Sequence, residues 1–427
     1  MLAYRMCFRL TTFFNHHTTY MRKFEQRIAL FLVSITLLAV ISCTKTDHAT
    51  GVITLTPTPP DSLVQNAYTS IDSTGTPLPG IILAAPFNLA TPANVDSPGL
   101  LMIMNQDGQV LRKKITAGFA FDFNRWTING QIRYSYLVNN PGALRILDFN
   151  QFEGYAVIAD SNLNTLQQVN FTPYGENLFQ PGQGLDVHNF ILIADNHYIT
   201  ESFIIKTVTN IPSYIPHAAT APVIAPLIEE VENGNIVWSW DASADTSFYG
   251  NSVQGNVFTS TDTAQDYIHL NSITIDPRDN NLIISMRNQC QVIKINRQTG
   301  AVMWRLGGKN SDFAMTSDQV FLYQHHATLA DSNKTLLLFD DGDATLRPSS
   351  RIDEFQLDEV NKVVTGFKSF TIPEPFTSIM GSVQKNGNDY FIGGGSANYI
   401  LEVNNVTGQK IMELKSGLYS TYRAFKY

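Results

Sequence analysis

Residues 280–306 read NNLIISMRNQCQVIKINRQTGAVMWRL. Short apolar runs rich in Ile, Val and Trp alternate here with polar turns, and the last turn ends in Thr299-Gly300. Runs of this composition joined by TG, NG and DG turns read as β-hairpins. The same order of apolar strand, polar turn and alternating strand returns along the chain. It stands at Asp107-Gly108-Gln109-Val110, near Asn164-Thr165-Leu166, at Asn233-Gly234-Asn235-Ile236-Val237-Trp238 and at Thr299-Gly300-Ala301-Val302-Met303-Trp304. Two more copies are Glu359-Val360-Asn361-Lys362-Val363 and Thr407-Gly408-Gln409-Lys410-Ile411. Six occurrences, about 45–70 residues apart, predict an all-β, six-bladed β-propeller. A pair of β-sandwiches competes with it, but gives no reason for one hairpin to recur six times. No convincing amphipathic helix interrupts the pattern.

The composition agrees with a packed core. Of 427 residues, 44% are apolar, 11% aromatic and 15% charged, which excludes a disordered chain. Lys+Arg 29 against Asp+Glu 37 gives −8, a balance that repels a phosphate backbone and argues against a nucleic-acid partner. Three cysteines, Cys7, Cys43 and Cys290, are too few for a disulfide scaffold.

Residues 24–42, FEQRIALFLVSITLLAVIS, end at Cys43 and follow Met21, Arg22 and Lys23. A basic segment, an apolar run and a small residue before cysteine are similar to a bacterial lipoprotein signal with Val40-Ile41-Ser42-Cys43 as its lipobox. A transmembrane anchor is the alternative, but Ile28 to Ser42 is short against the about 20 residues a bilayer span needs. The expected organisation is a leader at 1–42, a tether and adapter rich in Thr, Pro and Ser at 43–94, and the propeller at 95–427. Cys43 is the expected lipidation site, and the chain meets a membrane through that lipid alone, in the bacterial cell envelope. Loss of the leader removes five Lys/Arg and one Glu and takes the charge from −8 to −12.

In a propeller the innermost strand of each blade starts at the central channel, so polar side chains there converge on one axial pocket. Of the histidines beyond Cys43, His48 lies in the tether, His197 in a turn and His217 in a Pro-rich loop. His188, His269 and the pair His325-His326 each open a hairpin: DVHNFILIADNHYITES, IHLNSITIDPRDNNLIISMR and YQHHATLADSNKTLLLFDDGD. A lone histidine is usually a core residue; three at equivalent blade positions are candidate site residues.

At these residues the chain resembles the bacterial arylsulfate sulfotransferases. The resemblance rests on His269-x-Asn271-Ser272, Ser285-x-Arg287, and Thr299-Gly300 followed by Trp304-Arg305-Leu306-Gly307-Gly308. It continues through Gln324-His325, Leu338-Phe339-Asp340-Asp341-Gly342 and Ser350-Arg351, with Asp186-Val187-His188-Asn189-Phe190 upstream. It covers roughly residues 95–427. It implies a six-bladed propeller and transfer, independent of PAPS and of any cofactor, of a sulfuryl group from an aryl sulfate through an active-site histidine to a phenol. At matching positions His325 is the implied nucleophile, with His188, His269, Asn271 and Arg287 around the sulfuryl group. His326 leaves the register of the pair ambiguous, and His326 and Arg351 are possible substrate contacts.

The residue types suit that chemistry. A sulfuryl group in transfer spreads negative charge over three oxygens, and a guanidinium offers a fixed fork of donors to them. A phenol with a pKa of about 10 and an imidazole near 6.5 can exchange a proton, and an attacking imidazole must be neutral. Two other readings stand beside this one. Three imidazoles could hold zinc or copper, against which Arg287 and the lack of a companion carboxylate in the same motifs speak. A non-catalytic propeller binding an anionic or aromatic ligand is the other. Gly307-Gly308 reads as a turn, Trp238, Trp240 and Trp304 as packing residues, and Asp340-Asp341-Gly342-Asp343 as a turn whose carboxylates bond nearby amides.

Overall fold

Each of the six repeated turns joins the third and fourth strands of one antiparallel sheet. The computed structural model describes residues 68, 70–89, 98–139, 153–172 and 184–427; the expected leader and Cys43 lie outside them. Six sheets account for the strands. Written from the innermost strand outward, blade 1 is Ser420–Lys426, Ile81–Phe87, Gly99–Asn105 and Val110–Thr116. Blade 2 is Ala120–Ile128, Gln131–Asn139, Glu153–Ala159 and Thr165–Val169, and the short Leu185–Asp186 pairs with its third strand. Blade 3 is Phe190–Ala194, His197–Val208, Ala221–Glu232 and Asn235–Asp241. Blade 4 is Leu270–Ile275, Leu282–Met286, Gln291–Ile295 and Val302–Gly307. Blade 5 is His325–Ala330, Thr335–Asp340, Arg351–Asp358 and Val363–Thr371. Blade 6 is Ser382–Asn386, Asp389–Gly393, Tyr399–Asn404 and Lys410–Lys415, to which Ser70–Ser73 adds a fifth strand. No α-helix occurs among the described residues.

The six-bladed reading is therefore correct, and its repeat is physical. In every blade the pairing of strands three and four slips just before the turn, as at Lys294/Ile295 and Gln356/Leu357. Such a bulge adds local twist. The second strands Leu282–Met286 and Thr335–Asp340 are buried at every position, because neighbouring blades cover both faces. That is why they read as unbroken apolar runs rather than alternating ones. The outermost strands Val110–Thr116 and Val363–Thr371 are largely exposed and carry lysines, which discourage further edge pairing.

The core lies between blades. Trp304, Leu306 and Phe321 pack against Leu338 and Phe355 at the junction of blades 4 and 5. Truncating the fully buried Leu338 to alanine removes packing worth about 2–5 kcal/mol.

The expected boundary at residue 95 is corrected. Ile81–Phe87 is the second strand of blade 1, held between Ser420–Lys426 on one side and Gly99–Asn105 on the other. Its fully buried Ile82, Leu83 and Ala84 put it in the core rather than in an adapter. The Pro- and Thr-rich flanks obscured it.

Candidate active site

The histidines singled out by sequence sit where the innermost strands begin. His188 and His269 immediately precede the first strands of blades 3 and 4, and His325 is the first residue of blade 5. All three line one cavity of about 190 Å³ with Arg287, Tyr422 and the aromatic rings of Phe87 and Phe121. Arg287 arrives from the same blade as His269. The pairing Leu270↔Met286 sets it beside that histidine, and its backbone N–H donates to the His269 carbonyl at 3.0 Å. Its guanidinium lies over the Tyr323 ring, 4.8 Å from the centroid, and donates to Gln254 Oε1 at 3.2 Å and Asn288 Oδ1 at 2.9 Å.

Each histidine is held by a carboxylate through Nδ1. His269 Nδ1 lies 2.6 Å from Asp266 Oδ2 and His325 Nδ1 lies 2.7 Å from Asp341 Oδ2, while His188 Nδ1 pairs with Asp186 Oδ1. Asp186 and Asp266 also accept the backbone N–H of their histidines, at 2.8 and 3.2 Å, which locks each ring to its own turn. This corrects the expectation that no companion carboxylate accompanies these motifs. Two of the partners stand two and three residues before a strand-opening histidine, a signal present in the sequence. The third, Asp341, is not a turn carboxylate. Asp340 and Asp343 are: Asp340 accepts from Leu322 and Gly342, and Asp343 from Thr345 and Leu346.

The protonation state of His325 follows from its surroundings and from one backbone contact. Burial, with Arg287 and the neighbouring His188 and His269, pushes its pKa well below the ordinary imidazole value. The Met380 backbone N–H points at Nε2 from 3.4 Å, so Nε2 bears a lone pair and the ring proton sits on Nδ1 facing Asp341. Burial also lowers His269, which Asp266 opposes. Asp341 is pushed well up by burial, and Arg287 works against that rise.

His326 is placed elsewhere. The chain bulges between His325 and Thr328, and His326 takes φ 46°, so consecutive rings turn away from each other. His326 lines a separate cavity of about 430 Å³ with Arg423 and accepts from the Val383 N–H at 3.2 Å. Positive φ recurs at His269 and Met380, and such conformations cost about 1–3 kcal/mol each where they are held by surrounding structure.

Asn271 and Arg351 do not line the His325 cavity. Asn271 Nδ2 donates to the Gln324 carbonyl at 2.8 Å and so braces blade 4 against blade 5 behind His325. The Asn271 carbonyl accepts from Arg423 at 2.6 Å and Tyr422 at 3.2 Å. Arg351 is bound to Asp340 and Asp353 at 3.0 Å, with the Val320 carbonyl as a further acceptor, a structural arginine rather than a ligand contact. His197 and His217 also lie outside the cavity.

Sequence reasoning missed Tyr422 and Arg423. Arg423 is buried at the axis, paired with Asp122 at 2.7 Å and with Asn189 at 3.0 Å. Asp122 in turn accepts the Phe190 N–H at 3.0 Å. One cation thus ties together blades 1 to 4.

Among solved structures, the chain is similar to a protein of unknown function from Bacteroides caccae, at 11% identity and a TM-score of 0.44 over 82% of this chain and 99% of that one. Apocarotenoid oxygenase from Synechocystis, in a Glu150Gln mutant, is similar at 12% identity and a TM-score of 0.35, over 81% and 80% of the two chains. Apo AztD from Citrobacter koseri aligns at 10% identity and a TM-score of 0.34, over 82% and 99%. No curated protein matches the sequence. The sequence profile of the arylsulfotransferase (ASST) family matches residues 208–423, a span that contains His269, Arg287 and His325 with their carboxylate partners Asp266 and Asp341. That span is half of the chain, and the chain belongs to the arylsulfotransferase family.

Proposed function

We propose that this chain transfers a sulfuryl group from an aryl sulfate to a phenol through a sulfohistidine at His325, without PAPS. The observation that carries the reading is the convergence of three carboxylate-backed imidazoles and one guanidinium on a single cavity. His325 Nε2 gives up its long 3.4 Å contact with the Met380 N–H and attacks sulfur with that lone pair as the sulfur–oxygen bond to the aryl group breaks, both electrons leaving with the phenolate. Arg287 offsets the charge on the sulfuryl oxygens, and His188 or His269 gives the leaving oxygen a proton. In the return step that imidazole takes the proton of the acceptor phenol, whose oxygen attacks sulfur and frees His325. Asp341 holds the His325 proton on Nδ1 throughout, as an orienting carboxylate does in nucleophilic triads.

Size and lining support the substrate class. A cavity of about 190 Å³ has room for one aromatic ring with its sulfate. Phe87 and Phe121 offer apolar faces to that ring. The decisive assay gives purified protein 4-nitrophenyl sulfate with and without phenol. Nitrophenol release, phenyl sulfate formation and one SO₃ group trapped on the His325 peptide are expected without added nucleotide. Absence of turnover, or turnover only with PAPS, would overturn the reading.

The reading extends to a lipoprotein of the bacterial envelope anchored at Cys43, which the Val40-Ile41-Ser42-Cys43 segment supports. Cys43→Ser should then yield an unprocessed or unanchored product, and unchanged mass and membrane fractionation would count against it.

A further inference from the structure

Behind His188 lies a carboxylate the transfer chemistry does not use. Glu201, on the second strand of blade 3, is fully buried, and neither of its side-chain oxygens has a partner among the described residues. An ionised carboxylate in that position is several kcal/mol uphill unless something neutralises it. A proton or a cation can do so. The buried Arg423 guanidinium acts on Glu201 but is already paired with Asp122, and the geometry leaves room for a second cation: one ligand atom from each of Glu201, Asp186 and His188 lies within 4.8 Å of the others, and all three residues are buried.

We propose that Asp186, His188 and Glu201 form a binding site for a divalent cation of the zinc class. One imidazole and two carboxylates are a donor set suited to zinc, with three protein ligands and one position left for water. Bonds of about 2.0–2.2 Å in a tetrahedral arrangement separate ligand atoms by roughly 3.4 Å, inside the observed spread. The two carboxylate charges balance the cation. His188 would bind through Nδ1, the nitrogen that now pairs with Asp186, with its ring neutral. Nε2 then carries the ring's only proton and presents it to the cavity as a donor. Cation binding does not depend on which group the cavity transfers, so its test stands apart from the assay above.

The experiment uses the full chain, stripped with a chelator and titrated with zinc sulfate by calorimetry, with retained metal measured by mass spectrometry. Wild type should take up one equivalent per chain. Glu201→Gln should weaken uptake by more than the roughly 10–100-fold that loss of an outer-shell partner costs. Equal uptake by wild type and variant, or none by wild type, would show that a proton neutralises Glu201 and would overturn the proposal. Should Glu201→Gln not fold, cobalt titration of wild type decides. Visible bands of a four-coordinate site saturating at one equivalent are expected, and weak six-coordinate bands or no saturation overturn the site.

Discussion

Asp341→Asn tests the nucleophile assignment without changing side-chain shape. The His325–Asp341 contact is 2.7 Å long, and both side chains are excluded from solvent. A hydrogen bond to a charged group in such a place contributes about 1.5–3 kcal/mol. An asparagine can turn its oxygen or its NH₂ toward Nδ1. With the oxygen there, the tautomer survives and the expected loss is about 10–150-fold in the sulfuryl-transfer step. With the NH₂ there, the ring proton moves to Nε2, where it meets the Met380 N–H and leaves no lone pair for attack. The loss then approaches the order of 10⁴ found when a catalytic histidine of a serine-protease triad loses its carboxylate. The assay is the nitrophenolate burst in a single turnover, with melting followed in parallel. A folded Asp341→Asn protein whose burst rate stays within about threefold of wild type would refute the role given to the pair.

Arg287→Ala should lower kcat by about 10²–10³-fold, the loss of roughly 3–4 kcal/mol expected for one transition-state donor, and Arg287→Lys should recover little because an ammonium lacks the fork; a mutant that fails to fold would mark the arginine as structural. His326→Asn should keep turnover within a few-fold while melting earlier, since it disturbs a buried hydrogen bond worth about 1–3 kcal/mol and lies in the other cavity; mapping the sulfo group to His326 would reverse the assignment. Burial first and Arg287 next lower the His325 pKa, so the imidazole keeps its lone pair as pH falls through about 6.5 and loses it only below. The acid limb of the kcat/KM profile should therefore lie below that value and move up toward it in Arg287→Gln; an unmoved limb would remove Arg287 from the causes.

The propeller was legible because its signal is local. Each turn between third and fourth strands is spelled out within a few residues, as at Asn233-Gly234, whose φ values of 50° and 78° suit the type I′ hairpin that pair favours. The pairing of Ile81–Phe87 with Ser420–Lys426 was not legible, since no short-range pattern marks partners so distant in sequence. The same contrast runs through the site. His188, His269 and His325 were singled out from their place before a strand and Arg287 from its family motif, and the four line one cavity. Asp341 was misassigned because five residues of FDDGD hold three carboxylates, and only the fold decides which of them meets a ring 16 residues away. Asn271 matched the motif but faces the Gln324 carbonyl, because a bulge between Leu270 and Ser272 sets its direction.

Closure of the ring has a consequence in time. Ala85 and Thr421, bonded across the closing pair of strands, are 336 residues apart. Synthesis at about 5–20 residues per second separates their appearance by roughly 20–70 s, whereas hairpins form within microseconds. A nascent chain can thus hold several finished blades while Ile81–Phe87 still presents a bare edge open to wrong partners. Tyr422 and Arg423 arrive with the missing strand, so the cavity wall and the axial ion pair are completed by the same event that removes the edge. Onset of turnover in a synthesis reaction would accordingly report the seam's closure, and chains arrested before residue 420 would carry folded blades without catalysis.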